Sequence, residues 1–274
     1  MNAQDYGTSV VLIVAVMAVV ALLEAVIPLV PRPPSLPGRR RANLAMTVQV
    51  FLSTFGFTSA AAVAAAAWPW RSPGLLGTSG LPAGVQIFLG VVVLDFAYGY
   101  VAHRTMHAWP ALWRYHRVHH SDAFVDVTTS YRTHPVEIVW RHSWLFLAAW
   151  AVGAPAAAIV IFRVASAVNG IFEHANIRTW PALDTLVSSV WVTPNMHKIH
   201  HSRVQHETDS NYGNLFALHD RALGTFVPTA RAPSVRYGLD EVDPADVGSF
   251  AALLALPWRQ SSVATATAVR HVTT

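Results

Sequence analysis

Residues 81–102, LPAGVQIFLGVVVLDFAYGYVA, run straight into His103-Arg-Thr-Met-His107, so an apolar segment ends in two imidazoles one helical turn apart. At about 1.5 Å per residue the run is long enough for a hydrocarbon core of roughly 30 Å. Two earlier runs match it: residues 9–30, interrupted only by Glu24 and Pro28, and residues 44–68, rich in Ala and Val. The first of these lacks a basic leader and a small-residue cleavage site, so it reads as a retained helix rather than a signal peptide. A fourth stretch, residues 138–172, is broken by Gly153-Ala154-Pro155 and carries Arg141 and His142 in its short first half. It reads as a helical hairpin that enters the membrane and returns. The expected fold class is all-α: an integral-membrane helical bundle of three spans plus a hairpin, with a histidine-rich helical cap on the cytoplasmic side.

Composition points the same way. The 274 residues are 53% hydrophobic and only 12% charged, where a soluble domain carries about 25% charge. That excludes a soluble, disordered, fibrous or coiled-coil protein. The net charge of +4 comes from scattered arginines, many flanking apolar runs, so it reflects membrane topology and no nucleic-acid partner is expected. Cys is absent, which rules out disulfides, thiolate metal sites and a Cys nucleophile.

Arg32, Arg39, Arg40 and Arg41 lie between the first two runs, only Arg71 between the second and third, and no Lys or Arg precedes the first. The positive-inside rule puts the Arg39–Arg41 loop in the cytoplasm. The third run then delivers His103 to that side, and the hairpin brings His174 and the residues after it back to the same side. The expected location is a bacterial cell membrane, with the active site on its cytoplasmic face.

Histidine occurs 14 times, nearly as often as Asp and Glu together at 15. Eight of these residues fall in three clusters: His103 and His107; His116, His119 and His120; His197, His200 and His201. On a helix, positions i, i+3 and i+4 fall within about 100° of arc, so each cluster puts its rings on one face. Neutral imidazoles facing one another are useful only around a cation, because imidazole is the commonest metal ligand. Eight exceed the coordination positions of one first-row metal, which favours a two-metal site. His134, in a Pro-led helix start, and His174, after the hairpin, are further candidates. His142, His206, His219 and His271 have no partner at helical spacing and read as structural or surface residues. Asp95, Glu137, Glu173 and Asp209 could orient ligating rings by accepting their outer N–H; a carboxylate inside an apolar span, as at Asp95, is costly without a partner. The ligand types alone do not separate iron, zinc and copper. HExxH, GxSxG, GxGxxG and Walker signatures are missing.

From Leu89 to Phe226 these residues resemble the fatty acid hydroxylase/sterol desaturase superfamily of membrane enzymes. Asp95-Phe-x-Tyr leading to His103-Arg-x-x-His107 is similar to its first box, Tyr115-His116-Arg-Val-His119-His120-Ser to its second, and Thr193-Pro194-Asn-Met-His197-Lys-Ile-His200-His201-Ser to its third. The tail Asn211-Tyr212-Gly213-Asn214, then Asp220-Arg221-x-x-Gly224-Thr225-Phe226, fits too; His219 departs from the Trp many relatives carry. The resemblance implies two non-haem iron ions that activate O2 and oxidise a C–H bond of a lipid to an alcohol, or by a second abstraction to an alkene. It implies His103, His107, His116, His119, His120, His134, His174, His197, His200 and His201 as metal ligands. Asp95, Glu137, Glu173, Asp209, Asn211 and Tyr212 would stand behind them, and no residue beyond the ligands is nominated as catalytic. It divides the chain into transmembrane helices (1–80), a hydroxylase-like catalytic domain (81–226) and a partly disordered C-terminal segment (227–274). No haem, flavin or nicotinamide motif is present, so a separate ferredoxin- or cytochrome-type electron donor is expected besides the lipid substrate. A histidine-based metal transporter or a zinc-dependent lipid hydrolase are the competing readings, and metal analysis separates them.

Overall fold

The computed structural model describes residues 3–33, 36–67 and 74–259. It is all-helical, with two isolated bridges and no strand among the described residues. The expected loose tail falls, beyond Arg259, outside them. Among the described residues four helices are long and apolar enough to cross a membrane: Tyr6–Val26, Arg39–Ala61, Ala83–Ala108 and Ala156–His174. The chain is thus an integral-membrane bundle whose fourth span is the returning arm of the expected hairpin.

Helix α1 (Ala3–Val26) and helix α2 (Arg39–Ala67) are followed by a short turn of helix, α3 (Gly74–Gly77). The third span is α4 (Ala83–Asp95), a π-helical stretch (Phe96–Val101) and α5 (Ala102–Ala108). Such π stretches are frequent at functional sites, and this one ends two residues before His103. Here Gly99 leaves room for Asn214, since a Cβ would stand 3.0 Å from the Asn214 Cβ. The sequence reading missed this feature, because hydrophobic spacing does not report an inserted residue.

Helix α6 (Pro110–His120) carries the second box. The hairpin is α7 (Pro135–Val152) and α8 (Ala156–His174). Gly153 closes α7 in the left-handed conformation (φ 62°), and Pro155 sets the direction of α8. The two arms have nearly equal length, so Glu137 and His174 come back to the same level. Ala158 meets Gly90 closely enough that a Cβ there would sit 2.8 Å away, and Val91, Leu94, Leu145, Phe162 and Leu215 fill the core between α4, α7 and α8. Small residues at such crossings are the usual device of membrane helices. After α9 (Pro181–Val187), the third box forms α10 (Pro194–His200), capped by Thr193, whose hydroxyl accepts from the Met196 N–H at 3.2 Å.

The segment after 226 packs on α2 and α6 through Val242, Val247, Leu253 and Leu256. This segment, expected to be partly disordered, forms a turn at Pro244–Val247, a helix at Phe250–Ala255 and a last turn at Leu256–Trp258.

A buried polar network ties the spans to the histidine-bearing helices. The Arg39 guanidinium bridges Asp122 and Asp126, and Asn43 donates to the same Asp122 carboxylate at 2.9 Å. Burial alone would raise the Asp122 carboxyl, but the Arg39 and Arg132 guanidiniums outweigh it and hold it down at about 2. Glu24, at the end of α1, accepts from the Val127 and Asn176 backbone N–H groups at 2.7 and 2.8 Å. Lys198 lies inside the third box and donates to the carbonyls of His174, Ala175 and Val125. Arg39, expected to act as a topology-setting charge, is therefore buried in this network, while Arg40 and Arg41 are exposed.

Candidate metal centre

Nine of the ten histidines named from sequence converge. His103, His107, His116, His120 and His200 form one group, and His119, His174, His197 and His201 a second; in each, one nitrogen per ring lies within 4.8 Å of all the others. The groups are contiguous: the ring centroids of His120 and His201 are 4.6 Å apart.

The boxes do not map one to one onto the groups. His116 and His120 join the first while His119 turns to the second; His197 and His201 join the second while His200 turns to the first. Helix geometry explains this. Rings at i and i+4 diverge by about 40°, whereas i+3 lies about 60° to the other side of i, so an HxxHH segment spans two adjacent points. The α6 and α10 segments do so in opposite senses, lacing the two groups together.

The rings are oriented from behind. Nδ1 of His103 donates to the Tyr212 carbonyl (2.8 Å), that of His200 to the Ser210 carbonyl (2.7 Å) and that of His174 to the Gly170 carbonyl (2.6 Å). Nδ1 of His116 meets Glu137 at 2.9 Å and that of His107 meets Asp209 at 3.2 Å. In these five rings the proton is committed outward and Nε2 turns inward: that of His103 lies 3.0 Å from His116 Nε2, and that of His174 lies 3.0 Å from Nε2 of both His119 and His197, whose Nδ1 atoms are buried with no hydrogen-bond partner among the described residues. Nε2 of His107 and His200 is buried with no partner. Converging lone pairs with no donor between them are favourable only around a cation, so the residues fit a pair of metal ions. Burial, reinforced by neighbouring rings, lowers His116, His119, His120, His197 and His201 well below the ordinary histidine range, and burial lowers His200 to about 4. This favours the neutral form that a ligating ring must have.

The remaining candidates are placed differently. His134 is not brought to the groups. It caps α7, Nδ1 accepting from the Val136 N–H at 3.2 Å, and its ring packs on Tyr115 and Trp258. Asp95 does not touch a clustered histidine: it accepts from the Leu215 and Phe216 N–H groups at 3.0 Å and lies 3.2 Å from Nε2 of His219. That gives His219 a partner spacing did not reveal. Glu137 and Asp209 stand behind His116 and His107 as expected. Tyr212 serves through its carbonyl, whereas Asn211, in a left-handed conformation (φ 52°), spends its amide on the Met196 and Val227 carbonyls. Glu173 comes nearer than a supporting role requires: Oε1 is 3.9 Å from Nε2 of His197, and Oε2 is buried without a partner.

Above the histidines opens a cavity of about 710 Å³ between α1, α2, α7 and α8, with His103, His119, His174 and His197 at its floor and residues such as Ile13, Val50, Ile138 and Ile159 in its walls.

A profile of the fatty acid hydroxylase family matches residues 87–225. The chain is 33% identical over 160 residues to the ornithine lipid hydroxylase OlsE of Rhizobium tropici, covering 58% of this chain and 46% of that one. It is 30% identical over 173 residues to the alkylglycerol monooxygenase of Xenopus tropicalis (62% and 34%) and 28% identical over 172 residues to that of Homo sapiens (62% and 34%). The matched part is thus less than half the length of each relative. No solved structure matches. With half of its length inside the profile and all three histidine boxes within that half, the chain belongs to the fatty acid hydroxylase family.

Proposed function

We propose that this protein is a membrane-bound, O2-dependent lipid hydroxylase with two iron ions. The observation that carries the reading is the opening of a largely apolar cavity between the membrane-spanning helices onto four of the nine converging imidazoles. The relatives support hydroxylation, since their names describe a hydroxylase of ornithine lipid and monooxygenases of alkylglycerol. His103, His107, His116, His120 and His200 would hold one ion; His119, His174, His197 and His201 the other, with Glu173 beside them. Such a pair supplies O2 activation: one oxygen atom enters a C–H bond of the lipid, and the other leaves as water with a pair of electrons and two protons.

The chain's own part is positioning. Apolar walls hold the acyl chain and keep water from the reacting carbon. Glu137, Asp209 and the Tyr212, Ser210 and Gly170 carbonyls fix the tautomers, so nitrogen lone pairs face the ions in advance. The exposed Arg40 and Arg41 at the start of α2 support a cytoplasmic position for this floor, where a separate ferredoxin- or cytochrome-type protein would deliver electrons. The test is purified protein in lipid nanodiscs with lipid, O2 and a reconstituted donor. About two irons per chain and a product heavier by one oxygen are expected. One zinc per chain, or turnover without any donor, overturns the reading.

Gly170 offers a separate check on the cavity. It lines the space beside the histidines, and a Cβ there meets nothing nearer than 3.9 Å. Gly170→Leu should therefore fold and keep its metal, since the Gly170 carbonyl remains for His174, while the side chain fills the path of the acyl chain. Loss of about tenfold or more in lipid turnover with unchanged metal content is expected, and unchanged turnover would place the substrate elsewhere.

A further inference from the structure

The cavity carries more charge than an alkyl chain needs. Of the charged residues in its wall, Arg141 is paired with Glu137 at 3.0 Å, and Glu173 faces the rings of His174 and His197. Arg163 is different. It sits within the apolar span of α8, half-buried in the wall, and makes no hydrogen bond or ion pair among the described residues. A cation inside a membrane span is costly and, by default, marks a ligand pathway or a missing partner. Around it are phenols: Arg163 interacts electrostatically with Tyr98 and Tyr6, and Tyr131 with the same two. The Tyr6 hydroxyl is spent on the Phe51 carbonyl. The Tyr131 hydroxyl is buried with no hydrogen-bond partner among the described residues, although Tyr131 also lines the cavity. The unpaired guanidinium and the orphaned phenol thus line the same largely apolar space, Arg163 toward the far end and Tyr131 nearer the histidines, where it packs on the cluster of Val127, Ile171 and Ala175.

The position of Arg163 fits a head group. Eleven residues of α8 separate Arg163 from His174, about 16 Å along the axis. Tyr6 is the first residue of the first span, so this end of the cavity is remote from the histidines. An extended long acyl chain bridges such a distance.

We propose that Arg163, with Tyr98 packed on the adjacent Phe162, forms an anion subsite that receives the acidic oxyanion, carboxylate or phosphate, of an acyl lipid whose chain reaches down to the histidines. This rests on the reading of the cavity as a lipid-oxidising site. It adds that the substrate is acid-headed and enters with its head away from the metals. Arg163 supplies the charge and a planar pair of N–H donors suited to either oxyanion; the Tyr98 hydroxyl adds a further donor.

The test is equilibrium binding to the full-length protein in phosphatidylcholine nanodiscs without O2, so that no turnover intervenes. Three probes share one chain: palmitate, hexadecyl phosphate and hexadecanol. The parent protein should bind at least one acid about tenfold or more tighter than the alcohol, the low end for a charge-assisted hydrogen bond. Arg163→Gln should abolish that preference, leaving alcohol binding and metal content unchanged, and Arg163→Lys should restore part of it. Preference for palmitate alone assigns a carboxylate, for hexadecyl phosphate alone a phosphate. Equal binding of all three probes to the parent, or an acid preference that survives Arg163→Gln, overturns the subsite. The two readings fail separately: acid preference without any oxygenated product would overturn the hydroxylase reading alone, and product formation without acid preference the subsite alone.

Discussion

His200→Ala should leave the chain inserted in the membrane, with about one metal ion lost and lipid hydroxylation reduced by at least about 100-fold. The bound goes beyond what losing even a supporting residue of a metal site costs. His200 is the strongest choice because it crosses over: it sits on the helix whose other two rings serve the second group, yet its Nε2 belongs to the first and is buried without a partner. Its Nδ1 is held by the Ser210 carbonyl at 2.7 Å, and its ring lies against those of His103, His107 and His120, the other members of the first group. Alanine removes a ligand without unpairing a carboxylate. The measurements are metal content and oxygenated lipid on the same preparation. His134→Ala is the matched control, since that ring lies away from both groups: metal content should be unchanged, with only the loss of a helix cap, about 1 kcal/mol. Equal effects of the two substitutions would defeat the ligand assignment.

The contrast shows what was legible in the sequence. HxxxH and HxxHH are local patterns, and helical geometry alone turns them into faces, so eight ligand candidates were readable at once. Even the crossover of His119 and His200 was implicit in the i, i+3, i+4 spacing, because the i+3 ring points away from the pair. His174 was readable because the two arms of the hairpin are nearly equal in length. What failed was long-range or side-chain-specific. His134 has the right residue type beside a helix start, but capping the start consumes its Nδ1. Asp95 was correctly expected to need a partner, but the partner is backbone about 120 residues on, which no local spacing reports. Arg163 and Tyr131 could not be singled out either: an Arg in an apolar run becomes informative only when the surrounding side chains are known.

Asp122→Ala should unfold the protein earlier rather than impair chemistry directly. Asp122 lies two residues beyond His120 and is fully buried, receiving Arg39, Asn43 and Thr129. Its charge also faces Arg132, which is entirely buried and otherwise bonded only to the Val118 carbonyl, Asn43 and Ser121. Removing one partner of a buried ionic network leaves uncompensated charge, at a cost of about 3–5 kcal/mol. For a chain of this size that corresponds to a fall in Tm on the order of 10 °C. Asp122→Asn, which keeps an acceptor oxygen without the charge, should fall between the two. The pH dependence gives an independent reading. The Asp122 carboxyl is held at about 2 in the folded protein, against about 3.9 when unfolded. Its stabilisation is therefore fully present above about pH 4 and disappears as pH falls toward 2. The parent should lose Tm across that window more steeply than Asp122→Ala, so the two melting curves, followed by size exclusion after heating in detergent, should converge in acid. Parallel curves down to the lowest pH would mean that Asp122 contributes packing alone. Metal release should track unfolding in both proteins, because this network anchors the helix that carries His116, His119 and His120 rather than touching the ions.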